Sequence, residues 1–419
     1  MSAADALSAR CPAPDPVRLA ADLAALERFT RPDRPYTRRA FSDEDRAARA
    51  WLADRMTAAG LAVAVDAAGN QIGRRAGTRS APPLMVGSHL DTVEAGGRFD
   101  GIAGVLAGVE VARCLAGVPL AHPLEIVNFT CEEPSDFGLS TIGSRALAGK
   151  LDAATAARLT DRGGRTLADA IDSVGGDGRG LDRARRAPGA VARYLELHIE
   201  QAVSLDRAGV PLGVVTAIAA PSRYRASVRG RQDHAGGTPM GDRRDALAAA
   251  AEIVLAVERL AREAGRGMVG TVGTLDVHPN MVNIVPGAVD LLVDFRGIEP
   301  GAIAATLAAF EAEASAIGAR RGVAIALAPL LREQPLAIDG AMVGLLEDAA
   351  AARGVAWRRV TSGASHDANH VARLCPIGLL FVPCRDGRSH CPEEWAEVGH
   401  LAAAAGVLLE ALLRLDRVA

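Results

Sequence analysis

The sequence predicts an α/β protein with a smaller α+β segment inserted into it, and three observations carry that expectation. Short apolar runs alternate with helical periods over the first 200 residues, which is how a largely buried sheet between helices reads. Near residue 210 the pattern becomes strand-rich, and from about Pro335 the alternation returns. A chain of 419 residues also exceeds what one hydrophobic core usually serves, so two domains are the default. The expected division is a discontinuous first domain, 1–209 and 331–419, with an inserted domain at 210–330.

The elements follow in order. Residues 1–16 read as a loose tail, followed by a helical pattern from Pro16 to Phe29. A second helix is expected from Ser42 to Ala59: Ser42 suits the N-cap, Asp43, Glu44 and Asp45 fill the first turn, and Gly60 follows the end. Strands are expected at Leu61–Val65, Leu84–Val86, Leu124–Phe129 and Arg193–His198, with a helix from Gly101 to Leu115. Residues 160–190, rich in Gly, Arg and Asp, read as a surface excursion. The insert reads strand (Tyr224–Gly230), helix (Asp245–Arg262), strands (Gly270–Val277, Ala288–Asp294), helix (Ala302–Ile317), strand. A strand at Ile377–Val382 and a helix at Glu394–Leu415 close the chain.

Composition removes several classes of function. Hydrophobic residues are 49% and charged residues 23%, ordinary for a globular protein that folds in water. The net charge of −3 gives no basic surface for nucleic acid or an anionic membrane, so neither is an expected partner. No run approaches the roughly 20 uninterrupted apolar residues of a membrane span. The six cysteines form no CxxC pair and read as reduced thiols, which with the absence of an apolar N-terminal segment suggests the cytoplasm. No GxGxxG or P-loop follows a strand, so nucleotide binding is not expected.

Five short segments carry the chemistry. His89 lies in Gly87–Val93 after an apolar strand, Asp100 stands just before a helix, and Glu132 and Glu133 follow the strand Leu124–Phe129. His198 ends another strand, and His390 lies in the loop before the last helix. Ligands of open α/β sheets gather beyond the carboxyl ends of strands, where at least three of these segments sit. Three imidazoles and two carboxylates suit two divalent cations with one shared carboxylate. That makes His89, Asp100 (bridging), Glu133, His198 and His390 the expected ligands. Asp91 is placed to accept the ring N–H of His89, and Glu132 is left free as a base. A lone His is more often structural, and His122, His278 and His400 are read that way.

The segments GSHLDTV, FDGIAGVLAG, CEEPSDFGLSTIGSR, LELHIEQ, HAGGTPM, DFR, SGASHDA and SHCPEEW resemble the hydantoinase/carbamoylase branch of the dinuclear metallopeptidase-type amidohydrolases. The resemblance runs from about residue 20 to the end of the chain. It implies a zinc-peptidase-like catalytic domain with an inserted lid domain through which the chain forms a homodimer. It also implies hydrolysis of a C–N bond in a small N-carbamoyl-L-amino acid, with allantoate or ureidoglycolate as alternatives. An aminoacylase or dipeptidase on the same scaffold is less favoured, because LELHIEQ and DFR resemble the carbamoylase branch. By the same resemblance two divalent metals (Zn, Mn, Co or Ni) are the cofactors and Glu132 the general base. His234 would come from the lid as a catalytic and substrate-binding residue, joined by Gln201, Asn283, Arg296 and the loop residues Ser362, Gly363, Ala364, Ser365 and His366. Departures from the family pattern are Ala202, Ser365 and Cys391, none of them a ligand.

Overall fold

The computed structural model describes residues 11–265 and 267–417. The chain divides into two compact units. The first holds the residues up to Thr216, together with Ile338–Val360 and those from His366 onward; the second holds Ala217–Ala337 with Thr361–Ser365.

Four neighbouring strands of the first unit's sheet run parallel: Leu124–Phe129, Leu84–His89, Arg193–Ile199 and Ile377–Val382. All four are buried along almost their whole length, the pattern of strands covered on both faces. Gln71–Arg75 and Leu212–Ile218 flank them antiparallel. The strand Gln71–Arg75 was not expected, and the His89 strand runs three residues beyond the expected Leu84–Val86. Because the four parallel strands point the same way, their carboxyl ends meet along one edge, and each is followed by one of the chemical segments.

The helix Ile102–Cys114 starts from Gly101 at φ 66 and packs close on this sheet. At Gly104 a β-carbon would fall on the Leu197 carbonyl oxygen, so only glycine allows the approach. The helix Val398–Leu415 buries Leu401, Val407, Leu408, Leu409 and Leu412 in the same layer. It and Pro300–Arg321 have the length and hydropathy of membrane-crossing segments. The first is a core helix, and the second sets Ile303, Leu307, Phe310 and Ile317 into the core of the second unit.

Two expectations are corrected here. Residues 160–190 are not a plain surface excursion. Leu167–Asp172 is helical, Gly178–Ala184 is a 3-10 turn, and Leu167, Ile171, Val174 and Leu181 join a buried cluster with Phe41, Phe137 and Ile142. The Gly and Arg content hid few but well-spaced apolar residues. The tail is also shorter than expected: Cys11 and Pro14 are buried, and Asp15 caps the helix Pro16–Glu27 by accepting from the Val17 and Arg18 amides. Residues 1–10 of that tail lie outside the described residues.

The second unit carries a four-stranded antiparallel sheet in the order Ala324–Arg332, Ala220–Arg229, Ala288–Gly297, Val269–His278. Helices Ala246–Ala264 and Pro300–Arg321 cover one face over Tyr224, Phe295 and Phe310. Apart from two-residue strands such as Asp233–His234 and Ile284–Val285, the order along this unit is strand, helix, strand, strand, helix, strand.

Candidate metal centre

The loops that carry the candidate donors owe their placement to the ends of the parallel strands. His89 closes its strand and is 2% exposed; the chain then turns, braced by Arg38. This fully buried guanidinium donates from Nε to the Leu90 carbonyl at 2.8 Å and from Nη1 to the Phe29 carbonyl at 3.0 Å. Burial pulls its pKa down to about 10, so it stays charged beneath the loop. Cys131, Gln201 and His390 all sit at positive φ near 55°, and such backbone strain in non-glycine residues concentrates at functional sites.

Three groups of donor atoms result: Glu196, His198 and His366, and two triads that share Asp100. His89, Asp100 and His198 form the first: Asp100 Oδ1 lies 3.1 Å from His198 Nε2 and 3.8 Å from His89 Nε2. Asp100, Glu133 and His390 form the second: His390 Nε2 lies 3.0 Å from Asp100 Oδ2 and 3.2 Å from Glu133 Oε1. Each oxygen of Asp100 therefore faces a different triad. His89 Nδ1 lies 2.9 Å from the Asp91 carbonyl and His198 Nδ1 lies 3.0 Å from the Ile199 carbonyl. Both rings thus carry a proton on Nδ1, which leaves Nε2 as the atom that would face a cation.

The role expected of the Asp91 side chain is corrected. Its backbone carbonyl, not its carboxylate, holds the His89 ring, and the nearest carboxylate oxygen is 3.8 Å away. The carboxylate instead accepts the amide N–H groups of Glu132 at 3.2 Å and Glu133 at 3.1 Å, fixing the Glu-Glu turn. Burial and the neighbouring Asp45 raise it to about 7.

The electrostatics are those of a crowded, buried set. Burial would raise Asp100, yet hydrogen bonds from His198 and His390 outweigh it and hold the carboxyl well below its usual range. Burial pulls His198 down, but Asp100 and Glu196 reverse this and lift it to about 9; Asp100 and Glu133 lift His390 to about 11. Glu132, buried among Asp367, Glu133, Asp91 and Asp100, is raised well above the carboxylate range. In chelator-stripped protein at pH 7 His198 and His390 therefore hold protons that cation binding must displace. Calorimetry of Zn²⁺ uptake in buffers of different ionisation enthalpy should show net proton release, with affinity falling as pH falls.

The set is packed among further buried partners, of which Tyr194, Glu196 and His370 were not anticipated. Tyr194, Glu196 and His198 share one face of their strand by its two-residue period. Glu196, fully buried, accepts from the Tyr194 hydroxyl, the Ser88 hydroxyl and the Ala368 amide. His366 stacks edge-on against His198 at 4.6 Å and is buried, and Asp367 next to it is 0% exposed. Gln201 donates from Nε2 to Asp100 Oδ2 at 2.8 Å. His370, expected by no motif, meets Thr141 Oγ1 at 2.9 Å, and burial presses its pKa to about 2. A histidine kept neutral in the fold supports stability fully above its unfolded pKa of about 6.5 and loses that support as pH falls towards 2. In stripped protein, stability should decline between pH 6 and 4 with a slope of about 1.4 kcal/mol per pH unit from this group. The variant His370→Gln should show a denaturation midpoint less sensitive to pH over that range.

The remaining expected residues belong to the second unit. His234 Nδ1 accepts the amides of Gly236 and Gly237 at 3.1 and 3.0 Å, so the neutral ring carries its proton on Nε2. The strand pairing Ile284↔His234 and a bond from the Ala235 amide to the Asn283 carbonyl bring Asn283 alongside. Arg296 is oriented by Asp294 at 3.0 Å and donates from Nη1 to the Gly363 carbonyl at 3.2 Å. Ser362 folds its hydroxyl onto the Ala364 carbonyl, and Ser365 ends the segment. His122, read as structural, sits against Asp416 at 3.1 Å.

Imidazole and carboxylate donors converging at strand ends, with the buried Glu132 beside both triads, are the equipment of a metal-dependent hydrolase. The chain belongs to peptidase family M20/M25/M40, whose sequence model matches residues 85–414. It is similar to the N-carbamoyl-L-amino acid amidohydrolase of Geobacillus stearothermophilus, 41% identical over 387 residues that span 92% of this chain and 94% of that protein. It is also similar to a ureidoglycolate hydrolase of Oryza sativa subsp. japonica, 36% identical over 91% of this chain and 80% of that protein. The crystal structure of an amidase of the hydantoinase/carbamoylase family from Burkholderia multivorans superposes with a TM-score of 0.87 at 36% identity, covering 96% of this chain and 98% of that one.

Proposed function

We propose that the chain hydrolyses the ureido C–N bonds of an N-carbamoyl-L-amino acid, giving the amino acid, carbon dioxide and ammonia. The observation that carries this is Asp100 with one oxygen towards each triad, beside the free carboxyl of Glu132, in a chain 41% identical to an N-carbamoyl-L-amino acid amidohydrolase. His89, Asp100 and His198 would hold one cation and Asp100, Glu133 and His390 the other; zinc, manganese, cobalt and nickel all suit such donors. Bound there, the cations supply Lewis acidity, polarising a carbonyl oxygen and acidifying a water molecule.

The chain's own residues do the rest. Glu132 Oε2 lies 3.8 Å from His89 Nε2, at the edge of the first triad. Standing outside both triads, its carboxylate would take a proton from the attacking water and pass it to the leaving nitrogen as the C–N bond breaks. Asp91 keeps Glu132 and Glu133 in register by their amides. His234, with its proton on Nε2, is a donor for the developing oxyanion. Arg296 offers a planar fork for the substrate carboxylate, with Asn283, Gln201 and the Ser362–His366 loop completing substrate contact. Ureidoglycolate is the second candidate substrate, favoured by the 36% identity to a ureidoglycolate hydrolase.

A homodimer through the second unit is part of the proposal. Val269, Leu275, Leu292 and Leu330 are exposed on its sheet, and Val269–His278 is an edge strand, an arrangement that proteins usually cover. The six free cysteines support a reducing compartment such as the cytoplasm. Ammonia release should be measured from N-carbamoyl-L- and D-amino acids, N-carbamoyl-β-alanine, allantoate and ureidoglycolate, and free amino acid from N-acetyl amino acids, after loading with each metal. Rapid metal-dependent release from the L-carbamoyl compounds alone is the expected result. Release from ureidoglycolate alone would replace the substrate, and free amino acid from N-acetyl compounds alone would move the chain to the aminoacylases.

A further inference from the structure

Glu394 belongs to neither triad, yet it lies between the two loops that supply Asp100 and His390. Its side chain is fully buried. One oxygen accepts the Phe99 amide at 2.8 Å and the Asp100 amide at 3.1 Å, and the other accepts the Ser389 hydroxyl at 2.7 Å. The Ser389 hydroxyl also lies 3.3 Å from Asp100 Oδ2. One carboxylate thus joins segments almost 300 residues apart in sequence. Space is reserved for it: a β-carbon at Gly97, which has no positive φ to require glycine, would fall directly on the Glu394 carboxylate.

The two triads differ in how their ligands are held. His89 and His198 end strands, are 2% exposed at the side chain, and are each anchored by a backbone carbonyl at Nδ1. His390 has a side chain 47% exposed, sits in a loop at φ 56, and makes no Nδ1 hydrogen bond among the described residues. Its placement depends on the loop, and the loop is tied to the Asp100 segment through Ser389 and Glu394. We propose that Glu394 is a positioning residue that sets the affinity of the Asp100–Glu133–His390 site for its cation, by clasping the Asp100 and His390 loops together. This rests on the two-cation assignment above.

A rival clasp is present on the same loops. Trp395 packs edge-on against Phe99 at 5.6 Å, and the Arg98 guanidinium lies 4.5 Å over its ring. If that contact alone held the loops, the carboxylate would be dispensable. Glutamine at 394 can keep one oxygen for the two amides and donate to Ser389 Oγ, so Glu394→Gln tests geometry against charge.

The experiment is Zn²⁺ titration of the chelator-stripped full chain by calorimetry, with bound zinc counted by elemental analysis. The variants are Glu394→Ala, Glu394→Gln, Gly97→Ala and Ser389→Ala. The expected result is two zinc ions for the unaltered chain. One of the two should bind about 10–100-fold more weakly in Glu394→Ala and Gly97→Ala, with the other unchanged, as is usual when a partner of a ligand is removed. Glu394→Gln should stay close to the unaltered chain. Ser389→Ala removes only one of the three bonds, so it reports on the clasp even if Glu394→Ala fails to fold; it should weaken the same single site. Unchanged binding of both ions in folded Glu394→Ala or in Ser389→Ala overturns the proposal, as does equal weakening of both sites. Loss in Glu394→Gln as large as in Glu394→Ala overturns the geometric basis. Fewer than two zinc ions on the unaltered chain would overturn the two-cation assignment itself, a distinct result.

Discussion

Glu132→Gln should lower kcat about a thousandfold and leave the bound metal at the level of the unaltered chain. The glutamate stands outside both triads, so its replacement removes no ligand. Its backbone position is held by the Asp91 carboxylate through the amide N–H, a bond the substitution does not touch. What glutamine removes is the proton acceptor, and general acid–base catalysis of this kind is commonly worth about 10²–10⁴ in rate. Glutamine is also of the same size and neutral among the crowded carboxyls of Asp367, Glu133, Asp91 and Asp100, so the fold should not suffer. The check is paired: steady-state turnover of N-carbamoyl-L-amino acids, and elemental analysis of the same preparations. A variant with retained metals and turnover within tenfold of the unaltered chain would remove Glu132 from the mechanism.

Asp100→Ala should abolish activity by a different route, through loss of metal from both sites. Asp100 is the one residue common to the two triads, and each of its oxygens faces a separate set of donors. Without it His89 and His198 keep only two protein donors for one cation, and Glu133 and His390 two for the other, below the three that open metal sites usually supply. The stripped variant should also have altered protonation, since the hydrogen bonds of Asp100 to His390 and His198 lift both imidazoles. Elemental analysis should find less than one metal per chain, and zinc calorimetry should show weakened uptake at both sites. If one site stayed at full affinity, the bridging assignment would be wrong. The contrast with Glu394→Ala, where one site alone weakens, separates the shared ligand from the residue that positions it.

Much of the site could be read from the sequence because its members end strands within short, locally recognisable segments. His89, Glu133 and His198 follow apolar runs, and an apolar run in an α/β chain ends at the edge where ligands collect. The side-chain role of Asp91 was misjudged because a spacing of two implies a shared strand face. The strand stops at His89, and the turn that Arg38 braces sends the carboxylate to the Glu132 and Glu133 amides. Glu394 stands in a quoted motif, but its use depends on how the Phe99–Asp100 loop meets the His390 loop, which no local pattern encodes. His370 escaped notice for the same reason: its burial arises from packing between distant segments.

By itself the sequence determined the α/β class and the imidazole and carboxylate donors gathered at the strand ends, since each follows from local periodicity or from donor chemistry carried by a few adjacent residues. Only the tertiary structure decided that the four parallel strands lie side by side, that the two oxygens of Asp100 face different triads, and that Glu394 clasps the two loops. Those are relations between residues tens to hundreds of positions apart, set by strand order and by the packing of helices such as Ile102–Cys114 on the sheet. Hydrophobic burial chooses that arrangement collectively, so no single segment records it.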